Sequence, residues 1–404
     1  MLLQQVWMVK EGETMPKQTG NARNPFVLLA LFILVCSGGC ATYPISHDKA
    51  VPVARGALFE YPYFHDQVTG IAVSGQGRIF VNFPRWDKDP LYSVAEVLPD
   101  GSLRPYPDHG WNRWGADETA HPEAHFICVQ SVFVDHSDFL WILDPASPAF
   151  NGVVPGGAKL VKVNLKTDQV ERVIPFAPSA APHESYLNDV RIDPEGNFAF
   201  ITDSGKGAIV VVDLESGKAR RLLSGHPSTK AEPGYVPVIE GKELRNEDGT
   251  VPKIHADGIA LDSRGEYLYY HALVGRTLYR IRTSFLKDPS LPEKDLENHV
   301  ERIAETGAAD GMLMDAQDNL YLTALEENAV KRYRPSEPTL NTIIQGGLHW
   351  PDSLAISPDN YLYVTDSQIN LAPRFNHGKD LRIIPYKFFK TWLMPFSHDG
   401  LLPP

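Results

Sequence analysis

The sequence predicts an all-β protein, and specifically a six-bladed β-propeller. Three observations predict it: a hairpin-like pattern recurs six times, further strand-like runs separate the copies, and no amphipathic helix is long enough to compete. The 404 residues are 43% hydrophobic and 22% charged, which is the composition of a folded chain. The 31 glycines and 33 prolines show no fibrous period, so they indicate many turns.

Each copy of the repeat has the pattern of one β-hairpin. A polar pair opens it, three or four mainly apolar residues follow, and a turn rich in Asp, Gly, Asn or Ser leads into a second β-rich run. The segments NDVRIDPEGNFAFITD and DGIALDSRGEYLYYHA show this pattern, with turns that suit a residue at positive φ. The copies begin, 42 to 69 residues apart, at Thr69, Gln130, Asn188, Asp257, Asp310 and Asp352.

The runs between the copies complete the blades. Segments such as AKLVKVNL and TLYRIRTSFL supply further strands, and about four strands per repeat is the size of a propeller blade. We therefore expect one six-bladed propeller over residues 54–392, followed by a C-terminal tail over 393–404. The Pro-, Gly- and charge-rich stretch 225–253 is expected to be a surface loop and not a separate domain.

The N-terminus is expected to be a signal peptide over residues 1–39. Phe26–Cys36 is an uninterrupted apolar run of 11 residues that follows Lys17 and Arg23. At about 1.5 Å per residue this run is too short to cross a hydrocarbon core of about 30 Å as a permanent helix. Met15 is an alternative start, because residues 1–14 fit no part of a signal.

The signal ends in a segment, SGGC, that resembles a bacterial lipoprotein cleavage box. The resemblance implies a lipid on Cys40 and a tether over residues 40–53, although Ser37 replaces the usual Leu. Ordinary cleavage nearby, giving a soluble exported protein, is the alternative. We expect a protein of the bacterial cell envelope, either facing the periplasm and held to the membrane by its N-terminal lipid alone, or secreted.

Charge and cysteine content exclude several classes of protein. A formal net charge of −12 argues against a nucleic-acid partner, which needs a basic surface. Three cysteines are too few for a disulfide scaffold, and Cys128 lies in the apolar run HFICVQSVFV, where we expect a buried thiol without a disulfide. We expect a monomer.

The repeat predicts where polar side chains meet. In a propeller the innermost strand of each blade starts near the central channel, so the six residues that open the copies should form a ring round the channel mouth. That ring is rich in acids and amides, which makes it the candidate site. The residues expected at the ends of the neighbouring strands are Asp144, Asp203, His271, Thr323 and Asp366.

Several later segments resemble the major royal jelly protein and yellow family. They are ITDSGKGAIVVVDLESGKARRLLSGHPS from Ile201, GIALDSRGEYLYYHALVGRTLYRIRTSFL from Gly258 and LHWPDSLAISPDNYLYVTDSQIN from Leu348. The resemblance covers about Ala54 to Trp392 and implies an exported six-bladed propeller. Members are proposed to bind biogenic amines, to convert dopachrome-like intermediates, or to serve nutritive and structural roles.

A more distant resemblance is to gluconolactonases and senescence-marker propellers, which hold one divalent metal at the channel mouth. It implies that Asn188 contacts substrate and that Asp257 and Asp310 are metal ligands. The family's first-blade Glu is missing, because Thr69 and Gly70 stand in its place. Carboxylate and amide oxygens from Asp257, Asp310 and Asn188 would suit Ca²⁺ or another divalent cation better than zinc. The alternative is that these aspartates cap strand ends.

Other side chains near the ring are weaker candidates. Asn188, His255 and His271 are candidate catalytic groups for acid–base chemistry or substrate contact. Aromatic faces beside carboxylates would suit a cationic amine, and each of these aromatic residues could equally pack between blades. The candidate ligand-binding residues are Thr69, Gln130, Asn188, Asp352, His349, Trp350 and Tyr186, and Trp111 and Trp114 are further aromatic candidates.

Three hypotheses for function follow. The first is an exported propeller that binds a cationic amine or aromatic small molecule at the acidic mouth. The second is a metal-assisted enzyme, either a lactone hydrolase or a tautomerase of quinone-like substrates. The third is a non-catalytic cell-surface scaffold. We expect no nucleotide cofactor, because the sequence contains no Walker A loop and no dinucleotide-binding fingerprint.

Overall fold

The computed structural model describes residues 59–115 and 121–393, with side chains from Phe64 onward. The predicted signal over 1–39, the tether over 40–53 with Cys40, and residues 394–404 of the predicted tail lie outside the described residues. Among the residues described, no helix is long and apolar enough to cross a membrane.

Six four-stranded antiparallel sheets form the predicted propeller, with one sheet per blade. Blade 1 contains strands β2 to β5, blade 2 contains β6 to β9, and blade 3 contains β10 to β13, each counted from the channel outwards. The first thirteen strands are β1 (Phe59–Phe64), β2 (Gly70–Val73), β3 (Ile79–Asn82), β4 (Val94–Val97), β5 (Leu103–Pro105), β6 (Ser131–Val134), β7 (Phe139–Asp144), β8 (Lys159–Asn164), β9 (Gln169–Pro175), β10 (Leu187–Ile192), β11 (Phe198–Asp203), β12 (Ile209–Asp213) and β13 (Ala219–Leu222).

An insertion with a short two-stranded hairpin, β14 and β15, separates blade 3 from blade 4. Blade 4 contains β16 to β19, blade 5 contains β20 to β23, and blade 6 contains β24 to β26. The remaining strands are β14 (Val238–Ile239), β15 (Lys242–Glu243), β16 (Ala256–Leu261), β17 (Tyr267–Ala272), β18 (Thr277–Arg282), β19 (Glu301–Glu305), β20 (Ala309–Met314), β21 (Leu320–Ala324), β22 (Ala329–Arg334), β23 (Thr339–Gln345), β24 (Pro351–Ile356), β25 (Tyr361–Asp366) and β26 (Tyr386–Trp392).

The ring of blades is closed by the first strand of the propeller. β1 pairs antiparallel with β26 and so supplies the outermost strand of blade 6. The first and last parts of the propeller thus share one sheet, and the innermost strands β2 and β24 lie side by side. This closure was not predicted, because the segment FEYPYF of β1 is not a copy of the repeat.

Helices are short and occur only in the loops, as the sequence predicts. The α-helices in the part of the chain that the structure describes are α1 (His109–Asn112), α2 (Thr283–Lys287) and α3 (Glu293–Glu297). The 3₁₀ helices are Pro122–Ala124, Pro148–Phe150, Pro227–Thr229, Leu325–Glu327, Ile369–Leu371 and Pro373–Phe375. None of the described helices contributes a layer of its own to the fold.

Apolar side chains fill the spaces between neighbouring blades. Between blades 2 and 3, for example, Leu143 and Leu160 pack in one cluster with Ile201 and Val210. Each fully buried side chain of this size contributes roughly 1.5–3 kcal/mol to folding. Cys128 is buried as a free thiol among such residues, and burial raises its pKa to about 12. The prediction of a small buried hydrophobic residue is therefore confirmed.

The insertion over residues 225–253 lies on the face of the propeller where the innermost strands begin. Its hairpin turns at Glu240, which has a positive φ of 52°. The Glu240 carboxylate accepts hydrogen bonds from His349 Nδ1 at 2.6 Å, Asn328 Nδ2 at 3.0 Å and Asn370 Nδ2 at 3.1 Å. Because these three residues lie in the loops of blades 5 and 6, the insertion covers that part of the face.

Candidate functional site

The six residues that open the repeats lie at the starts of the innermost strands, as the repeat predicts, and we call them the mouth ring. They are Thr69, Gln130, Asn188, Asp257, Asp310 and Asp352, and all six are buried. The innermost strands of consecutive blades lie next to one another round the channel, so these starts form a closed circle.

Glycines after two of the ring aspartates let neighbouring strands approach. A Cβ on Gly258 would lie 2.3 Å from the Asp310 carbonyl oxygen, and a Cβ on Gly311 would lie 2.0 Å from that of Asp352. Both distances are far below a normal carbon–oxygen contact. The Asp-Gly pair of the repeat therefore has a physical cause: the aspartate faces the ring, and the glycine makes room for the backbone of the next aspartate.

The Gly311→Ala variant is expected to lose about 1–3 kcal/mol of unfolding free energy, because the new methyl group meets backbone that cannot rotate away. Urea denaturation of the variant and the parent measures this loss. Gly115→Ala is the matched control, since no atom of the described residues lies within 4 Å of a Cβ built there. Equal stability of the Gly311 variant and the parent would contradict the close approach of blades 5 and 6.

One side of the ring is a chain of hydrogen bonds between neutral groups. The indole of Trp86 donates to the Tyr186 hydroxyl at 2.6 Å, and that hydroxyl donates to Gln130 Oε1 at 2.9 Å. Gln130 Nε2 donates to Asn188 Oδ1 at 3.2 Å, and Asn188 Nδ2 donates to Asp257 Oδ2 at 2.6 Å. The amides of blades 2 and 3 are thereby fixed in orientation and connected to the first aspartate.

The other side is the acidic cluster, which consists of Asp257, Asp310 and Asp352. The carboxyls of Asp257 and Asp310 hydrogen-bond to each other, and the indole of Trp350 donates to Asp310 Oδ2 at 2.6 Å. Asp352 Oδ2 is buried and has no hydrogen-bond partner among the described residues. Trp350 has a φ of 83°, a strained conformation for a bulky residue.

Burial and mutual repulsion make the three carboxyls hard to ionise. Burial, and then the charge of Asp310, raise the pKa of Asp257 and that of Asp352 well above the ordinary value. Burial raises the pKa of Asp310 to about 6, even though the Trp350 indole stabilises its charged form. Since carboxyls this close cannot all ionise, the acidic cluster shares protons near neutral pH.

The channel below the ring is partly filled by a charged pair. Asp189 Oδ1 accepts from Ser131 Oγ at 2.8 Å, and Asp189 Oδ2 lies 3.6 Å from the Arg191 guanidinium. Arg191 crosses to blade 5 and donates to the Met312 carbonyl at 2.6 Å. The remaining channel is a cavity of about 90 Å³ with otherwise mainly aliphatic walls. The Asp189 charge also acts on the cluster above it, because it helps to raise the pKa of Asp257, Asp310 and Asp352.

The ring is shielded unevenly from solvent. Trp350, Phe375 and Ile239 of the insertion belong to one apolar cluster on the ring face. Gln130 and Asn188 each keep 8% of their surface exposed, whereas Asp257 keeps 2%. Asp310 and Asp352 keep 6% and 4%, so the whole ring is buried and the amides of blades 2 and 3 are only slightly more exposed than the aspartates.

The candidate histidines hydrogen-bond to groups outside the acidic cluster. His255 Nδ1 accepts from the Ala231 backbone N–H at 2.8 Å, and burial lowers the pKa of His255 to about 4. His271 is fully buried, with Nδ1 on the Ala272 carbonyl at 2.6 Å and Nε2 by Thr306 Oγ1 at 3.2 Å, and burial also lowers its pKa to about 4. His349 binds Glu240 of the insertion.

The strand-end aspartates act as caps. Asp144 accepts the backbone N–H groups of Ile127 at 2.7 Å and Cys128 at 3.0 Å. Asp203 accepts the Tyr186 N–H at 2.9 Å, and Asp366 accepts the His349 N–H at 2.5 Å. Capping of strand ends, which the sequence left open as a role for the ring aspartates, is thus the role of Asp144, Asp203 and Asp366.

The aromatic candidates divide between the ring and the blades. Tyr186 and Trp350 contact the ring, whereas Trp111 packs on Phe126 with ring centroids 5.0 Å apart, and Trp114 packs against the core of blades 2 and 3. Trp111 and Trp114 have a packing role. The ring's remaining member, Thr69, accepts from Asn82 Nδ2 at 3.0 Å.

Sequence reasoning missed several residues at this face. Asp189 and Arg191 could have been found, because period-two alternation from the polar pair places both on the channel side of β10. The residues Trp86, Phe150 and Arg374 lie in loops of three blades, and no local signal in the sequence brings them together.

The prediction that Asp257, Asp310 and Asn188 together hold a divalent cation meets one unfavourable contact in the structure. Asn188 presents its N–H₂ group to Asp257, and a hydrogen-bond donor cannot ligate a cation. Within residues 59–115 and 121–393, no three His, Cys, Asp or Glu side chains form a group that could hold a metal ion. Calcium binding stays a prediction, and we derive no chemical step through a metal.

Comparison with known proteins gives a family and a fold. The family model described as "Major royal jelly protein" matches residues 127–380, which is more than half of the chain. No curated protein matches the chain in sequence. The gluconolactonase of Xanthomonas campestris has a similar structure, with a TM-score of 0.51 and 12% identity, over 84% of this chain and 90% of that one.

Two other solved structures are similar at the same level. A putative gluconolactonase has a TM-score of 0.51 and 12% identity, over 84% of this chain and 92% of that one. The virginiamycin B lyase of Staphylococcus aureus has a TM-score of 0.46 and 13% identity, over 83% of this chain and 99% of that one. At such low identity these similarities concern the propeller fold alone.

Proposed function

Because the chain belongs to the major royal jelly protein family, we propose that its propeller binds a small aromatic amine at the acidic side of the mouth ring. The ammonium group would replace shared protons between the carboxyls of the acidic cluster. The aromatic part would lie towards Tyr186 and the amides of blades 2 and 3, on the neutral side of the ring.

The observation that carries this proposal is that the acidic cluster has no cationic partner in the part of the chain that the structure describes. Three buried carboxyls adjoin, and none of them has a Lys, Arg or His partner within ion-pair distance among the described residues. Asp352 Oδ2 lacks even a hydrogen bond. Buried carboxyls in proteins are normally paired, so a cluster without a cation favours a cationic ligand.

An organic ammonium group suits this cluster by its hydrogen bonding. It has three N–H donors and no acceptor, while the cluster has free acceptor oxygens and a shortage of donors. Tyr186 and Trp350 both contact the ring, and aromatic residues beside carboxylates favour a ligand that is both cationic and aromatic. The scaffold hypothesis gives no reason to retain three buried acids at the channel.

We expect tryptamine to bind the full-length protein and its neutral analogue tryptophol to bind at least about tenfold more weakly, because only the amine compensates the buried carboxyls. Calorimetric titration of both compounds at pH 7 measures this difference. In Asp257→Asn and Asp352→Asn the preference for the amine should disappear. Asp100→Asn, in an exposed turn of blade 1, is the matched control and should keep it.

Equal binding of the two compounds to the parent protein would contradict the proposal. So would a preference for tryptamine that survives both ring variants. A parallel titration with calcium chloride addresses the metal alternative, because calcium would compete with tryptamine if both occupied the acidic cluster.

A tautomerase is the second candidate, and one contact favours it. The hydrogen-bonded carboxyls of Asp257 and Asp310, with a pKa of about 6 for Asp310, place an acid and a base side by side near neutral pH. Such a pair can give a proton to one atom of a substrate and take a proton from another. The lactone hydrolase alternative rests on the metal site and lacks this geometric support.

Export remains part of the proposal on sequence grounds. The apolar run Phe26–Cys36 and the SGGC segment ending at Cys40 favour a cell-envelope protein with a lipid anchor. An extracytoplasmic propeller would meet amines and aromatic compounds from the surroundings of the cell.

A further inference from the structure

Next to the amide side of the ring lies a group that we call the arginine–aromatic cluster, formed by Trp86, Phe150, Tyr186, Arg374 and Phe375. The Arg374 guanidinium lies 4.6 Å from the ring centroid of Phe150, 4.7 Å from that of Phe375 and 5.7 Å from that of Trp86. These distances are within the range of cation–π contacts. The rings therefore hold the guanidinium in place.

Arg374 has no anionic partner among the described residues. Its contacts are the three cation–π contacts, and no hydrogen bond or ion pair involves its guanidinium. The carboxylate that acts on its charge most strongly is that of Asp87, which already pairs with Arg382 at 2.7 Å. Burial lowers the pKa of Arg374 to about 10, so the group is still a cation at neutral pH, with all five N–H donors available.

Other arginines of the ring face are paired. Arg382 binds Asp87 and Asp380, and Arg276, which also stacks on a tyrosine ring, binds Glu232 at 2.6 Å. Arg276 thus shows that a stacked arginine of this propeller can also have an acidic partner, which Arg374 lacks among the described residues.

An exposed aromatic ring adjoins this arginine. Phe150 is 43% exposed, its ring lies 5.4 Å from that of Trp86 and 5.0 Å from that of Tyr186, and it follows Ala149 in a strained backbone. Both residues have left-handed conformations, with φ of 53° for Ala149 and 57° for Phe150. Neither is a glycine, so holding this ring at the surface costs free energy, which is typical of functional loops.

We propose that the arginine–aromatic cluster is a binding subsite for the carboxylate of an aromatic small molecule. The planar guanidinium would form two parallel hydrogen bonds with the carboxylate, and the exposed face of Phe150 would pack on the aromatic part. Tyr186 belongs to this cluster and also donates to Gln130 of the mouth ring, so the subsite and the ring are continuous.

This inference deepens the proposed function, on which it rests for the location of the ligand. The mouth then carries the acidic cluster in blades 4 to 6 and a cationic subsite formed by loops of blades 6, 1 and 2. A ligand with an amine, an aromatic group and a carboxylate would complement both. The expected ligands are aromatic amino acids and related aromatic acids.

The test compares indole-3-acetate with indole-3-acetamide, which has a similar shape and no charge. We expect the full-length protein to bind the acid at least about tenfold more tightly than the amide in calorimetric titrations at pH 7. Arg374→Gln should remove this preference, and Arg374→Lys should keep part of it, because a lysine retains the charge without the planar fork. Arg276→Gln, a stacked but paired arginine, should leave the preference unchanged.

Each outcome separates this inference from the proposal on which it rests. If the acid shows no preference over the amide, or if Arg374→Gln keeps that preference, the subsite is overturned, while tryptamine binding can still stand. If the acid binds through Arg374 and tryptamine shows no dependence on the ring aspartates, the subsite stands and the amine site is overturned. Absence of binding by all the indole compounds would overturn both.

Discussion

The Asp310→Asn variant is expected to be more stable than the parent protein at pH 7, by about 3 kcal/mol in the free energy of unfolding. Burial raises the pKa of Asp310 to about 6 in the folded protein, from an ordinary 3.8. An asparagine cannot ionise, so it avoids the cost of a buried charge. Its amide oxygen can still accept the hydrogen bond of the Trp350 indole.

The sign of the effect determines its pH dependence. A carboxyl with a raised pKa keeps its proton longer in the folded state, so its contribution to stability is complete below about pH 4 and is lost as the pH rises through about 6. The two proteins should therefore have similar stabilities near pH 4, and the advantage of the variant should be complete above pH 6. Urea denaturation at four pH values between 4 and 7 measures the difference.

The difference between the two proteins is more informative than the profile of either. Burial lowers the pKa values of His255 and His271 to about 4. Protonation of these histidines therefore lowers the unfolding free energy of the protein as the pH falls through the same window. These contributions oppose that of Asp310 and cancel in the comparison, because both proteins contain both histidines.

Asp203→Asn provides a matched control of opposite sign. Burial alone would raise the pKa of Asp203, but Arg221 at 2.6 Å, Ser185 and the Tyr186 N–H lower it. Loss of this charge should destabilise the protein at pH 7. If Asp310→Asn were also less stable than the parent at pH 7, the acidic cluster would have to be compensated, and the argument for a cationic ligand would fail.

A stabilising substitution at the ring has a functional meaning. Residues that reduce stability persist when binding or catalysis requires them. The acidic cluster fits this pattern, because a charge on it is unfavourable without a cation and the proposed amine would supply one. A ligand that binds only the folded state would restore the lost stability by mass action.

The fold could be predicted because each copy of the repeat corresponds to one blade. Six copies of one hairpin give the number of blades, and the polar pair marks where each innermost strand starts. The closing strand β1 could not be predicted, because its pairing with β26 depends on residues more than 300 positions apart and on a segment unlike the repeat. The same limit applies to the position of the insertion, whose Glu240 reaches His349.

The site was predictable in part for the same reason. Asn188, Asp257 and Asp310 lie together because each opens a repeat, and the repeat register is readable. The mutual hydrogen bond of the two acids, the neutral state of His255, and the position of Arg374 depend on side-chain orientation and loop folding. Chain order places Arg374 in a loop after the last hairpin and gives no indication that it meets Phe150 of blade 2.

The Lys159→Met variant is expected to lose about 3–5 kcal/mol of unfolding free energy, because it leaves the Asp144 charge buried without its partner. Both side chains are fully buried, and Lys159 Nζ lies 3.0 Å from Asp144 Oδ2. The ammonium group also donates to the carbonyls of Pro122 at 3.0 Å and Gly157 at 2.9 Å. Methionine fills a similar volume, so the loss measures the charge and its hydrogen bonds. Urea denaturation at pH 7 provides the measurement.

Two further variants separate the buried charge from general effects. Lys206→Met removes an exposed pair with Glu184, 3.1 Å apart, and should cost no more than about 1 kcal/mol. The double variant Lys159→Met/Asp144→Asn should recover part of the loss, because an amide oxygen at position 144 can still accept backbone N–H groups without a buried charge.

The same pair also affects the mouth ring. Asp144 fixes Ile127 and Cys128 just before Gln130, so Lys159→Met should also weaken tryptamine binding, and the double variant should restore it. Unchanged stability of the single variant would show that Asp144 is held by its backbone donors alone.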